Sequence, residues 1–137
     1  MKIFLDTGIF IAYFIKQEET HQKVVNRYKF FRKHQAVFLT SDYVLDELFT
    51  WFAYHQPKPI LEKLIINLAR SEQAGELKVL EIDKTTQKKA REALIKFSDH
   101  KISFTDATTY VLYKDLGLNE IFTLDSDFKK IGCQVSF

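Results

Sequence analysis

The chain has 137 residues, of which 46% are hydrophobic and 28% charged, and its formal net charge is +2. Its 13 Phe, 6 Tyr and single Trp supply ample core material, which excludes a mainly disordered chain. The single cysteine, Cys133, excludes a disulfide scaffold, and with only four His it argues against a Cys/His zinc site. We therefore expect one globular domain over residues 1–137.

The N-terminal region has no features of a membrane or secreted protein. The longest apolar run, residues 9–15, is much shorter than the roughly 20 residues that span a bilayer. Asp6 interrupts the first apolar stretch, which argues against a secretory signal. A lone cysteine suits a reducing compartment, so we expect a cytoplasmic protein.

Apolar patterning alternates between short runs typical of strands and longer stretches with helical spacing. In chain order it predicts a strand at 2–6, helices at 9–15 and 18–34, a strand at 36–40, helices at 43–54 and 60–70, a strand at 78–82, helices at 85–97 and 103–116, and strands at 120–124 and 133–137. Strands separated by helices favour parallel pairing with helices on both faces. The expected fold is a three-layer α/β/α domain with a central, mostly parallel sheet.

Acidic residues stand at the ends of the first and fourth predicted strands. Ligands of parallel α/β sheets bind outside the carboxyl ends of the strands. Asp6 ends the first strand, and Asp125 ends another with Asp127 just beyond it. Taken singly, Asp6 is better explained as a helix N-cap, and Asp125 and Asp127 as turn residues. Their matching positions favour a shared site.

The helix predicted at 43–54 carries two neighbouring acids that helical geometry separates. At about 100° per residue, Glu47 lies at the edge of the apolar stripe, beside Val44 and Trp51. Asp46 points away from that stripe. We expect Glu47 to be half-buried and Asp46 solvated, and the alternative for Glu47 is an ordinary boundary residue.

Asp106 has both a structural and a functional interpretation. Ser103 and Asp106 have the spacing of a helix capping box. The helix is nevertheless apolar nearly all round, and no Lys or Arg follows Asp106 within two turns to neutralise it. Clustered carboxylates raise each other's pKa, and a bound Mg²⁺ or Mn²⁺ would offset this cost. Such a cluster suits metal-assisted phosphodiester hydrolysis.

The acids considered above lie in four segments, residues 3–8 (IFLDTG), 40–47 (TSDYVLDE), 103–107 (SFTDA) and 121–128 (IFTLDSDF). These segments resemble the motifs of PIN-domain ribonucleases, in particular the VapC-type toxins of toxin–antitoxin pairs. Their order is that of the family, and the resemblance covers essentially the whole chain. Gly8 departs from the pattern, which usually has Asn or Ser there. This change removes a side-chain hydrogen bond near Asp6 but no metal ligand.

The resemblance implies a PIN-like domain that cleaves RNA endonucleolytically with a metal-activated water, as the toxin of a type II toxin–antitoxin pair. The catalytic residues that it implies, which also bind Mg²⁺ or Mn²⁺, are Asp6, Glu47, Asp106 and Asp125. Asp127 is a weaker candidate ligand. The resemblance also implies that the hydroxyl groups of Thr7, Ser103 and Thr123 orient these acids.

The expected partners are RNA, an antitoxin protein and a second copy of the chain. Three lysines next to predicted strand ends, Lys84, Lys101 and Lys129, are candidates for binding RNA phosphates, with solvated helix faces as the alternative. The family commonly forms homodimers and is masked by an antitoxin. Residues 60–68 are a candidate partner surface, and core packing is the alternative for them.

Other functions fit the sequence less well. Residues 124–127 resemble the nucleophile motif of haloacid dehalogenase-type phosphotransferases, but only ten residues follow Asp127, and Gly8 replaces the second acid. A response-regulator receiver needs an acidic pair after the first strand, where Asp6 stands alone. A PIN-like fold that serves only as a non-catalytic RNA-binding or protein-interaction module stays open. Scattered or salt-bridged acids would favour that alternative.

Overall fold

The computed structural model describes residues 1–137 and alternates strands with helices along the chain. The elements are β1 (Lys2–Leu5), α1 (Thr7–Phe14), α2 (His21–Lys33), β2 (Val37–Ser41), α3 (Asp42–His55), α4 (Lys58–Gln73), β3 (Leu77–Leu80), α5 (Lys84–Lys96), α6 (Phe104–Asp115), β4 (Glu120–Phe122) and α7 (Asp127–Lys130). One 3₁₀ turn at Ser98–His100 precedes α6. None of the helices is long and hydrophobic enough to cross a bilayer.

The four strands form one sheet in the order β3-β2-β1-β4, and every neighbouring pair is parallel. In the central strand β1, the successive residues Ile3, Phe4 and Leu5 are all buried. Because successive side chains of a strand point to opposite faces, both faces of the sheet must be covered. The predicted three-layer α/β/α architecture is therefore confirmed.

The sheet register places the ends of β1 and β4 side by side. Leu5 pairs with Phe122, so Asp6 and Thr123, the next residue on each strand, leave the sheet at neighbouring points. The Asp6 N–H donates to the Phe122 carbonyl at 3.1 Å, which ties the two chain segments together at this edge. This carboxyl edge is where sequence reasoning expects the functional residues.

Local sequence signals explain several helix ends. The Ser41 side chain accepts a hydrogen bond from the Val44 N–H and begins α3, and Asp83 does the same for α5 through Thr86. Pro57 is the N-cap residue of α4, two residues after the end of α3, and Pro59 lies in the first turn of α4. Gly117, with φ of 60°, follows the end of α6 in the left-handed conformation that glycine adopts without strain.

The prediction of a last strand at 133–137 is wrong. This segment forms only an isolated parallel bridge between Val135 and Ile121, and Ser136 holds it to Glu120 through a 2.9 Å hydrogen bond. A short apolar alternation cannot show whether a neighbouring strand is long enough to pair with it. The one-turn helix α7 was not predicted, because four residues carry no periodicity.

Candidate active site

Asp6 lies at the junction of β1 and α1, buried to 9% exposure. It occupies the N-cap position of α1, yet its side chain makes no capping hydrogen bond. Instead, Asp6 Oδ2 accepts a hydrogen bond of 2.7 Å from the Thr123 hydroxyl, across 117 residues of sequence. The N-cap interpretation of this carboxylate is therefore wrong, because the side chain is directed to the end of β4.

Burial raises the pKa of the Asp6 carboxyl from its usual 3.8 to about 7. The hydrogen bond from Thr123 opposes this rise, while the charges of Asp106 and Glu47 add to it. No Lys or Arg forms an ion pair with Asp6. Asp6 is thus a buried acid among other acids, without a protein cation to stabilise its charged form.

Glu47 lies in the second turn of α3, where its Oε1 accepts a hydrogen bond of 3.0 Å from the Thr7 hydroxyl. This bond joins α3 to the first residue of α1, next to Asp6. Glu47 is exposed, as is Asp46, so the expectation of a half-buried Glu47 is wrong. Helical periodicity predicted the direction of the Glu47 side chain. It could not predict how far the hydrophobic core extends beneath that side of the helix, and therefore how exposed Glu47 is.

Asp106 takes part in the capping box of α6. The Ser103 hydroxyl accepts from the Asp106 N–H at 3.0 Å, and the Ser103 N–H donates to Asp106 Oδ2 at 3.1 Å. Burial raises the pKa of the Asp106 carboxyl, the bond from Ser103 opposes the rise, and the charges of Asp125 and Glu47 add to it. The structural role of Asp106 is real, and it uses only one of the two carboxylate oxygens.

Asp125 and Asp127 shape the loop between β4 and α7. Asp125 Oδ1 accepts from the Asp127 N–H at 2.8 Å, which is the turn chemistry considered for this residue. Asp127 forms an ion pair of 3.5 Å with Lys130 and lines a shallow depression together with Asp106. Asp127 is therefore partly neutralised within its own short helix, unlike Asp125.

Thr123 connects two of these acids. Its hydroxyl donates to Asp6 Oδ2 at 2.7 Å and accepts from the Asp125 N–H at 3.0 Å. Thr123 is 2% exposed, so both bonds are shielded from water. One buried side chain therefore fixes the orientation of the Asp6 carboxylate relative to the loop that carries Asp125.

The structure brings the predicted acids to the carboxyl edge of the sheet, but their side chains are not close enough together to form a metal site. Their charges act on one another, as the raised pKa values of Asp6 and Asp106 record. As placed, however, no three His, Cys, Asp or Glu side chains form a group able to hold a metal ion. Like charges repel, which favours such an open arrangement.

The donor chemistry of this edge fits a hard divalent cation. Mg²⁺ and Mn²⁺ prefer oxygen ligands. None of Asp6, Glu47, Asp106 and Asp125 is engaged in an ion pair. The candidate RNA-binding lysines are all exposed: Lys84 begins α5, Lys101 lies two residues before Ser103, and Lys129 lies in α7.

Gly8 leaves space beside Asp6. A Cβ atom at this position would have only Leu124 within reach, at 4.0 Å, so a side chain would be accommodated. The departure from the usual Asn or Ser therefore has no steric cause. Nothing else in the structure explains it.

A model of the PIN domain family matches residues 3–132 of this chain. This match overturns the haloacid dehalogenase and receiver alternatives, whose motifs were already incomplete here. Comparison with curated protein sequences gives no significant match.

Three solved structures share the fold over nearly the whole chain. VapC20 of Mycobacterium tuberculosis, described as a sarcin-ricin loop cleaving toxin, has a TM-score of 0.80 at 21% identity, covering 96% of this chain and 95% of that chain. VapBC2 of Rickettsia felis, bound to a DNA fragment from its promoter, has a TM-score of 0.73 at 16% identity, covering 99% of this chain and 98% of that chain. FitAcB of Neisseria gonorrhoeae has a TM-score of 0.68 at 18% identity, covering 97% of this chain and 95% of that chain. At these identities the similarity establishes the fold.

Proposed function

This chain belongs to the PIN-domain family, and from that membership and its acidic edge we propose that it is a Mg²⁺- or Mn²⁺-dependent endoribonuclease. The observation that carries the proposal is Asp6, a buried carboxyl whose pKa is raised to about 7 by burial and by two neighbouring acids. An acid in this environment is unstable in its charged form unless a cation joins it. The ion that fits the oxygen-only surroundings is a hard divalent metal.

Asp6, Glu47, Asp106 and Asp125 are the proposed metal ligands, with Asp127 in a weaker role. A divalent cation held by carboxylates supplies positive charge for the phosphodiester and lowers the pKa of a bound water. The residues of this chain hold and orient that charge. Thr123 fixes the Asp6 carboxylate, Thr7 holds Glu47, and Ser103 holds Asp106.

Exposed lysines at the same edge are proposed to attract the RNA backbone. The proposed set is Lys84, Lys101 and Lys129, which are free of ion pairs. Lys84 follows β3, while Lys101 and Lys129 lie within five residues of Asp106 and Asp125 in the sequence. An acidic site alone would repel phosphate, so nearby cations are needed to bring RNA to it.

We further propose that the protein is the toxin of a type II pair with an antitoxin protein. VapC20 is described as a toxin, and VapBC2 as bound to promoter DNA, which supports this kind of partnership for a chain of the same fold. A cavity of about 350 Å³ between α1, α2 and α4 is lined largely by apolar side chains, with Arg70 and Glu76 among its polar residues. Its size and character suit apolar side chains of the antitoxin.

A homodimer is also proposed, with α4 as part of the interface. Of the predicted partner surface at 60–68, Leu64 and Leu68 are buried in the core, whereas Ile65 and Ile66 are 45% and 49% exposed. Ile60 and Leu61 are partly buried and also pack against the core, so the core-packing alternative holds for four of the six apolar residues of this surface. The two exposed isoleucines are the part available to a second copy.

The test is cleavage of RNA by the purified protein with and without divalent metal. We expect cleavage with Mg²⁺ or Mn²⁺ and none with EDTA, because the carboxylates need the cation. Asp6→Asn and Asp106→Asn should each lower the rate by at least about a hundredfold, the scale of a lost catalytic electrostatic group. Circular dichroism checks that both variants fold.

Asp46→Asn is the matched control, since Asp46 neighbours Glu47 on α3 but has no proposed role. It should cleave at nearly the wild-type rate, while Glu47→Gln should not. Undiminished cleavage in both Asp6→Asn and Asp106→Asn would refute the assignment. Equal losses in Asp46→Asn and Glu47→Gln would refute the role of Glu47.

The alternative is a PIN-like module that binds RNA or protein without cutting. The observation that favours it is the absence of a group of three side chains able to hold a metal ion. RNA binding that is insensitive to EDTA, with no cleavage under any metal condition, would favour this alternative over the nuclease.

A further inference from the structure

The face of α3 that carries Glu47 continues into a row of aromatic rings. Trp51 follows Glu47 by four residues, Tyr54 by seven and His55 by eight, and residues at these spacings share one side of a helix. With a rise of 1.5 Å per residue, Trp51 lies about 6 Å and His55 about 12 Å further along the helix axis. The row thus begins beside a proposed metal ligand and leads away from it.

Two rings of this row, those of Trp51 and His55, are ordered by one another. The Trp51 and His55 rings stack with centroids 4.6 Å apart and planes 16° from parallel. His55 Nδ1 lies 2.8 Å from the Trp51 carbonyl oxygen, which fixes the imidazole in place. Trp51 in turn meets Phe52 edge-on at 5.3 Å, and Phe52 is fully buried. The stack is anchored in the core at one end and exposed at the other.

Core packing does not account for the outer end of this row. Tyr54 is 82% exposed, the highest value among the large hydrophobic residues that face solvent. His55 is also exposed. Tyr54 therefore presents its ring to water without an aromatic partner within the chain, and His55 is the exposed end of the stack on Trp51. Together they mark a surface for binding.

We propose that Trp51, Tyr54 and His55, here called the α3 aromatic row, form a stacking platform for bases of single-stranded RNA that lie next to the cleaved phosphodiester. This proposal rests on the proposed nuclease function, because the row is continuous with Glu47. Aromatic faces stack on any base, so the platform binds the strand without reading its sequence. Lys58 begins α4 three residues after His55, and its side chain is 84% exposed. Its 3.8 Å ion pair with Glu62 is a surface pair of little strength, so the ammonium group is available to the RNA backbone.

Trp51 is the only tryptophan of the chain, so its fluorescence reports on the platform directly. A single-stranded oligoribonucleotide is titrated into the wild-type protein in EDTA, with end-labelled RNA anisotropy as a parallel measure of binding. We expect saturable quenching of Trp51 that follows the anisotropy. An abasic oligonucleotide of equal length and charge should quench much less, because it offers no ring to stack.

Variants separate stacking from structure. His55→Ala and Tyr54→Ala should each raise the Kd for RNA by roughly tenfold, the scale of one lost base–aromatic contact. His55→Phe keeps a flat ring and should stay within about twofold of wild type. In cleavage assays the alanine variants should raise KM and leave kcat near wild type, and neither should change the Kd for the abasic strand.

Two results would overturn the platform. RNA that saturates the anisotropy signal without quenching Trp51 binds elsewhere. If Trp51 fluorescence instead varies with protein concentration alone, and Tyr54→Ala converts a dimer to a monomer in sedimentation equilibrium, the row is an interface between copies of the chain. Cleavage that depends on Asp6 but not on the α3 aromatic row would refute the platform and support the nuclease function. Quenching of Trp51 without any cleavage would support the platform and refute the nuclease function.

Discussion

At Asp6, burial and charge oppose each other within one side chain. The carboxyl is 9% exposed, and burial raises its pKa from 3.8 to about 7. The folded chain therefore binds a proton at this site over a pH range in which the unfolded chain has released it. The resulting stabilisation is fully present below about pH 4 and is lost as the pH rises through 7.

This linkage predicts how Asp6→Asn changes stability without metal. The free energy of unfolding of the wild type should fall between about pH 4 and pH 7, by up to about 4 kcal/mol for a shift of about three pKa units. The variant lacks this titration, so its stability should change less over the same range. It should melt higher than the wild type at neutral pH, because a mutually repelling charge is gone.

Urea unfolding at a series of pH values in EDTA measures both curves. Asp46→Asn serves as the control, because its exposed side chain lies outside the acidic contacts and should leave the slope unchanged. Parallel curves for the wild type and Asp6→Asn would show that Asp6 is not a buried titrating acid. A lower melting temperature for Asp6→Asn would point to a structural role instead.

The secondary-structure elements were largely predictable because their signals are local. The capping box of Ser103 and Asp106, the turn bond of Asp125 and the prolines after α3 all act within a few residues. The bond from Thr123 to Asp6 spans 117 residues, and only the pairing of β1 with β4 creates it. The family resemblance suggested a role for Thr123. The two hydrogen bonds that its hydroxyl makes, to Asp6 and to the Asp125 N–H, could not be derived from sequence spacing.

The end of β4 offers a test of that long-range contact. Thr123→Val keeps the shape of the side chain but removes its bonds to Asp6 and to the Asp125 N–H. We expect a loss of about 1–3 kcal/mol in the free energy of unfolding, since two buried polar groups lose a partner. Cleavage should fall as well, because the Asp6 carboxylate loses its orientation.

Thr123→Ser retains the hydroxyl and is the matched control for this experiment. It should recover most of the cleavage rate while losing one buried methyl group, which costs about 1 kcal/mol. If the valine variant cleaves as well as the serine variant, orientation of Asp6 by this hydroxyl does not contribute to activity.

In the molecule as a whole, the all-parallel sheet has two distinct edges, one where all strands begin and one where all strands end. Every strand ends at the carboxyl edge, which carries Asp6, Thr123 and the loops that follow them. Residues that precede a strand lie at the opposite edge, as Lys33 does before β2. The net charge of +2 does not distinguish these edges, but the topology does. RNA attraction should therefore depend on which edge a lysine occupies.

Salt dependence of RNA binding measures this difference. Each phosphate contact on a single strand contributes about 0.7 to the slope of log K against log salt concentration. Lys101→Ala, next to the capping box of α6, should reduce the slope by about that amount and weaken binding to all RNA sequences alike. Lys33→Ala removes the same charge from the opposite edge and should leave the slope unchanged. Equal effects of the two variants would mean that RNA is held by diffuse charge over the whole surface, and not at the carboxyl edge of the sheet.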